Sequence, residues 1–260
     1  MKLWPSFKIA FSLYSKIPMP HTEWIPQNVS YALGFLPLVG IPIGGLLFFW
    51  QWISLTVPLH PCLFAAGACA IPFLVTGGIH LDGFCDTIDA LSSHQPKEKK
   101  WEILRDPHIG SFAMLAAAIY FLLLFGGWCQ LSETLSLAQA GAIACIYPLS
   151  RSIAAGSAVL LRPAKSEGML HTVSQASSRR AVLWLTGGFA ALSLGGMLAL
   201  QWKTGLSCLA VCAVISLYYY RMACRQFGGV TGDLAGYFLQ LLEGGMLGGA
   251  VLIQIVEGAM

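Results

Sequence analysis

Apolar residues run along this chain in long blocks separated by short polar stretches, and only near its start do they alternate with polar ones at helical spacing. Leu3, Phe7, Phe11 and Tyr14 recur at steps of four, four and three, with Lys2, Lys8 and Lys16 among them. That pattern predicts a short amphipathic helix within residues 1–20, lying in a membrane interface. Pro18, Pro20 and Pro26 end it, and without a continuous apolar run it does not read as a cleavable signal peptide. A spanning helix needs about 20 mostly apolar residues. Seven segments near that length follow: 31–57, 63–79, 111–129, 137–161, 181–201, 206–220 and 237–256. Short apolar links, Pro58 to Cys62 and Trp202 to Gly205, turn the chain back quickly. Gly40 with Gly44, Gly244 with Gly248 and Gly245 with Gly249 make small faces suited to close helix packing.

Composition sharpens the picture. The chain is 56% hydrophobic and only 10% charged, whereas a soluble domain carries about 25% charged residues. So little charge cannot cover a water-exposed surface, so much of the exterior must face lipid. A net charge of +3 is too small to suggest nucleic acid as a partner, and there is no dense basic stripe. The eight cysteines form no CxxC pair and lie mostly in apolar stretches, as small hydrophobes rather than disulfide partners. With the N-terminus in the cytoplasm, the segments on that side hold Lys2, Lys8, Lys16, Lys97, Lys99, Lys100, Arg105, Arg162, Lys165, Arg179, Arg180, Arg221 and Arg225. That is thirteen of the fifteen Lys and Arg residues; only Lys203 falls outside, and Arg151 lies within a span. The partition obeys the positive-inside rule and supports seven spans. With no repeat and no linker, residues 1–260 read as one all-α polytopic membrane domain, with 80–110 as a cytoplasmic catalytic segment.

Chemistry concentrates in that segment. Six of the twelve carboxylates fall between Asp82 and Asp106. Asp82, Asp86 and Asp89 are spaced i, i+4, i+7, so a second span continued as a helix projects all three from one face. Carboxylates that close repel one another unless a cation sits between them, and oxygen ligands favour Mg²⁺ or Mn²⁺. The plainer reading is a solvated acidic helix end paired with Lys97, Lys99 and Lys100. It explains poorly why the aspartates share a face directly after an apolar span. Mg²⁺ held by a few carboxylates keeps positions for phosphate oxygens. Arg105, followed by Asp106, Pro107 and His108, is suited to bidentate phosphate contact. The turn Gly228-Gly229-Val230-Thr231-Gly232-Asp233 can offer backbone N–H groups to a phosphate, or can be a plain interhelical loop. His80, one turn from the cluster, is a candidate proton acceptor or second-layer ligand. Arg151 and Glu243 fall at membrane depth, where an unpaired charge costs about 3 kcal/mol. They pair with each other or act in the site, and the expected partner of Arg151 is a substrate diphosphate.

These residues carry a resemblance. Gly77, Gly78, His80, Leu81, Asp82, Gly83, Asp86 and Asp89, with Arg105, Asp106 and Gly110, resemble the signature of the cobalamin synthase family, the adenosylcobinamide-GDP ribazoletransferases. Ser150-Arg151-Ser152, Glu167-Gly168 and the stretch from Gly228 to Asp233, with Gly236 and Glu243, are similar to it in order. Ala90 stands where the pattern has Gly, and Gln240 where it has Glu. The resemblance implies a Mg²⁺-dependent enzyme of the bacterial cytoplasmic membrane. Its substrates would be adenosylcobinamide-GDP and α-ribazole or its 5′-phosphate, its product adenosylcobalamin or the phosphate, and GMP would leave. Asp82, Asp86 and Asp89 would bind metal. His80, Arg105 and Asp106 would serve catalysis, while Arg151, Thr231, Gly232, Asp233 and Glu243 would bind substrate. Whether the protein forms a homo-oligomer stays open.

Other classes fit less well. A CDP-alcohol phosphotransferase needs Ala-Arg where Asp86-Thr87 stands, and a downstream aspartate pair that is missing. A prenyltransferase of the ubiquinone type needs a second Asp-rich motif on another helix. A cation transporter could use Asp82, Asp86, Arg151 and Glu243, but the aspartates sit at a helix end rather than near the midplane.

Overall fold

The computed structural model describes residues 3–164 and 168–259, and in them the chain is a bundle of helices without a named strand. In order these are α1 (Leu3–Tyr14), α2 (Pro26–Val29), α3 (Ala32–Thr56), α4 (Pro61–Thr76), α5 (Ile79–Ser92), α6 (Lys97–Ile103), α7 (Ser111–Ser132), α8 (Leu137–Ala144), α9 (Ile146–Leu160), α10 (Met169–Ala176), α11 (Arg179–Leu200), α12 (Trp202–Met222) and α13 (Gly232–Gly258). A π-helical turn, Ala223–Phe227, follows α12.

Among the described residues, α3, α7, α8 with α9, α11, α12 with the π-turn, and α13 are long and apolar enough to cross a membrane. The seventh expected span is met differently. α4 and α5 form a pair bent by 95°. The break lies at Gly77 and Gly78, whose φ values of 67° and 81° are left-handed and favour residues without a Cβ. The second span therefore does not continue as one helix into the aspartates, as the spacing alone suggests. α4 has 16 residues, and α5, of 14 residues, turns across its end. The three aspartates still share a face because all of them lie on α5.

The exterior is that of a lipid-facing protein, with Leu123 71% and Trp184 75% exposed. α13 runs through the middle, and Leu234, Leu239, Leu242 and Met246 are fully buried along it. α1 buries Ile9, Ala10 and Phe11 while Leu3 and Trp4 stay exposed, so it is a two-faced helix as its spacing predicts. It also packs on the bundle, since Ile9 and Ala10 share a cluster with Val29, Ala32, Leu33, Val173 and Val182. Gly40 and Gly44 do make a close approach: a Cβ on either would strike the backbone of Tyr147–Pro148 or Ala144. Gly248, by contrast, faces open space.

Candidate active site

Two helices cross at the site with almost nothing between their backbones. A Cβ added to Gly83 of α5 would lie 2.7 Å from the carbonyl oxygen of Asp233, and one on Gly236 of α13 would lie 2.9 Å from that of His80. Both glycines are therefore required by the approach rather than by their own dihedrals. The crossing brings the first turn of α13 against the acidic face of α5. Thr231 caps that turn, accepting a hydrogen bond from the Leu234 N–H at 3.2 Å.

Asp82 is exposed and Asp86 half-buried, and both line an open cleft with Gly77, Gly78, Pro107 and Ile109. Burial, then the charges of Asp82, Asp233 and Asp89, push the Asp86 carboxyl up to about 7. The same interactions show that Asp233, 147 residues beyond Asp86 in sequence, joins the acidic group in space. Among the described residues no Lys or Arg is ion-paired with Asp82, Asp86 or Asp89. Lys97 and Lys99 pair instead with Glu98 and Glu102, and buried Lys100 donates to Gln226. The solvated, lysine-paired helix end is not what forms.

Asp89 has a different setting from its two neighbours. Its Oδ2 accepts from the Gly110 N–H at 2.6 Å and its Oδ1 from the Ala113 N–H at 2.9 Å. It thus satisfies two of the orphan donors at the start of α7, where a carboxylate also meets the positive end of the helix dipole. Gly110 is part of this fit, because a Cβ there would sit 2.5 Å from Asp89 Oδ1. Asp89 fastens α5 to α7.

Mg²⁺ fits this donor set in one way. Among the described residues, no three His, Cys, Asp or Glu side chains converge tightly enough to hold an ion by themselves. Asp82 and Asp86 face one cleft beside Asp233, and among the described residues no Lys or Arg forms an ion pair with Asp82 or Asp86. That suits an ion carried by one or two carboxylates and completed by phosphate oxygens.

The remaining expected site residues separate. Arg105 is exposed and lines a second cleft with Leu104, Thr231, Gly232 and Asp233. Asp106 builds its own turn, accepting from the His108 N–H at 3.0 Å and facing its Nδ1 at 2.7 Å. Those bonds, the backbone one first, hold its carboxyl below the usual range. His80 does not face the cleft. It is 6% exposed and stacks on Tyr14 with centroids 6.0 Å apart, and burial, then the charge of Arg151, pushes its pKa down to about 3. A proton acceptor that weak is poorly matched to neutral pH.

Arg151 departs most from expectation. Its Nη1 donates to Glu243 Oε1 at 2.5 Å and to the Tyr147 carbonyl at 3.1 Å, and Ser150 Oγ donates to the same carboxylate at 3.1 Å. Arg151 is 1% exposed and Glu243 6%. The two charges meet each other between α9 and α13, and the diphosphate is not needed to explain either. The pair borders a cavity of about 40 Å³ with Tyr120, Tyr147 and Gln240. Gln240, which replaces an expected Glu, accepts from the Tyr120 hydroxyl at 2.7 Å. Glu167 lies outside the described residues. His171 on α10, by contrast, lines the Arg105 cleft, and the spacing of residues gave no signal for it.

The chain is similar to known proteins along nearly its whole length. A family model described as cobalamin-5-phosphate synthase matches residues 6–251. The chain is 39% identical over 260 residues to the adenosylcobinamide-GDP ribazoletransferase of Lachnoclostridium phytofermentans, covering 100% of this chain and 97% of that one. It is 32% identical over 244 residues to the protein of that name from Desulfitobacterium hafniense, covering 93% of each. For the one from Geobacillus kaustophilus the identity is 32% over 250 residues, with 93% of this chain and 92% of that one covered. No solved structure matches the chain.

Proposed function

The chain belongs to the cobalamin-5-phosphate synthase family, and on that premise we propose that it joins adenosylcobinamide-GDP to α-ribazole or its 5′-phosphate at the cleft of Asp82 and Asp86. The observation that carries this reading is the crossing of α5 and α13 at Gly83 and Gly236. It gathers carboxylates from two helices beside Arg105 and a capped helix N-terminus.

The reaction is a displacement at phosphorus. A ribazole hydroxyl oxygen bonds to the cobinamide-linked phosphorus, and the bridging P–O bond breaks. Its electron pair leaves with GMP, and the hydroxyl proton passes to a carboxylate of the cluster. Mg²⁺ bound at Asp82 and Asp86 would neutralise diphosphate oxygens during this step. Arg105, which lines the neighbouring cleft, is of the side-chain type suited to bidentate contact with the same group. The start of α13 would meet a bound anion with the positive end of the helix dipole. Asp89 holds α5 against α7, so the cleft keeps its shape. His80 packs the bend between α1 and α13.

Purified protein given adenosylcobinamide-GDP and α-ribazole should form a corrinoid with a closed nucleotide loop and release GMP, and chelating divalent ions should stop it. Products formed equally well after chelation would remove the metal from the reading, and no product at all would remove the reaction.

The face that carries the cleft should be cytoplasmic, in a bacterial inner membrane, because the lysines and arginines gather on it. With exposed Cys62 and Cys224 replaced by serine, Lys99→Cys, Ser177→Cys and Arg225→Cys should react with an impermeant thiol reagent only from the cytoplasmic side. Glu133→Cys should react only from the other. Labelling of Ser177→Cys and Glu133→Cys from one face would overturn the seven-pass topology.

A further inference from the structure

α10 is tied down over the start of α13 by a short backbone bridge. Ala164 N–H donates to the Val230 carbonyl at 2.9 Å, and Val230 N–H donates to that of Arg162 at 3.0 Å. Arg162 Nε donates to the Gly228 carbonyl at 2.9 Å. Gly229 has no room for a side chain, since a Cβ there would lie 2.5 Å from the Arg162 carbonyl oxygen. α10 follows, and Val173 anchors it in the cluster beneath α1. Leu170 comes within 4.0 Å of where a Gly232 Cβ would be. The next residue, His171, therefore stands beside the N-terminus of α13 and forms a wall of the cleft that Arg105, Thr231, Gly232 and Asp233 share.

His171 is partly buried there, and its Nδ1 is buried without a hydrogen-bond partner in the protein. A buried ring nitrogen left alone is costly, and native structures rarely keep one without a use. Arg105, the Gly232 backbone and the start of α13 line this cleft together with Asp233, and a guanidinium and a helix N-terminus favour an anion there. The loop after α6 serves both clefts. Leu104 and Arg105 line this one, and Pro107 and Ile109 line that of Asp82 and Asp86. A diphosphate can therefore bridge them.

We propose that His171, with Arg105 and the N-terminus of α13, forms the subsite for the guanylyl end of the diphosphate and for GMP as it leaves. The proposal rests on the ribazoletransferase reading and adds to it a residue and a polarity of binding. Charge builds on the guanylyl phosphate as the bridging bond breaks, so that end gains most from a cation, an imidazole N–H and a helix N-terminus. The cobinamide-linked phosphorus then lies over Asp82 and Asp86, where the attacking hydroxyl enters.

The test is GMP binding to the purified protein, followed by calorimetry with Mg²⁺ present and with guanosine as the control, alongside steady-state kinetics. His171→Ala should weaken GMP about tenfold, the loss of one hydrogen bond to a charged group. It should raise KM for adenosylcobinamide-GDP by a similar factor and leave KM for ribazole and the melting temperature unchanged. His171→Gln, which keeps an N–H donor, should recover part of the loss. Unchanged GMP affinity in His171→Ala overturns the proposal, as does an equal rise in both KM values. A wild-type protein that binds GMP no better than guanosine yet turns over normally also overturns it, while leaving the reaction intact. Absence of turnover in the wild type would instead strike the parent reading.

Discussion

Asp86→Asn should abolish turnover and leave the protein at least as heat-stable as its parent. The loss should be at least about a hundredfold in kcat/KM, about 2.7 kcal/mol of transition-state stabilisation. Asp82→Asn should lose activity alike, because both side chains line the same cleft, where the proposed reaction places the ion and the diphosphate. The stability half follows from the sign of the pKa shift. The folded protein holds the Asp86 carboxyl at about 7, through burial and the charges of Asp82, Asp233 and Asp89. An acid so raised ionises more readily unfolded than folded, so between its ordinary pKa and 7 and above, its charge works against folding. Asparagine has the same shape without the charge. Melting temperatures at pH 8 in chelator, with kinetics in Mg²⁺, separate the two effects. A marked fall in melting temperature for Asp86→Asn would show that the charge holds the fold together instead.

Asp89→Asn gives the contrast. Asparagine has only one acceptor oxygen, whereas Asp89 accepts from Gly110 and Ala113 with different oxygens. That variant should lose stability as well as activity. Three aspartates on one face thus divide into two that line the open cleft and one that fastens helices.

What the sequence revealed and what it hid follow from the range of the interactions. Spans, amphipathic helix and shared acidic face depend on periodicities of a few residues, and these are written locally. The bend at Gly77 and Gly78 was legible only as two adjacent glycines, since nothing in their identity says that both adopt positive φ. The role of Asp89 depends on N–H groups 21 and 24 residues away. The only hint was Gly110, present in the motif for a reason the motif does not state. Asp233 has no carboxylate within nine residues of it in sequence, because its acidic neighbours lie on α5. Its place was encoded by Gly83 and Gly236, small residues whose effect is to remove distance between two helices. His171 had no sequence signal, because α10 reaches the cleft through the backbone bridge at Pro163 and Val230.

Arg151 is the residue for which the fold reverses the expectation from sequence. Membrane depth demanded an anion for a guanidinium whose pKa stays above about 12, and the sequence offered both a substrate and a carboxylate 92 residues away. The structure supplies the carboxylate, at 2.5 Å, with Ser150 and the Tyr147 carbonyl completing the group. Breaking such a buried pair on one side costs about 3–5 kcal/mol, because the other charge is left without compensation. Arg151→Gln and Glu243→Gln should each lower the melting temperature sharply and reduce the yield of folded protein. The double variant leaves no lone charge and should recover most of the stability, since the coupling energy between the pair is large. Its activity should return with its fold, as neither side chain lines the cleft of Asp82 and Asp86. A double variant that folds well yet stays inactive, beside an Arg151→Gln protein of normal stability, would put the guanidinium back on the diphosphate.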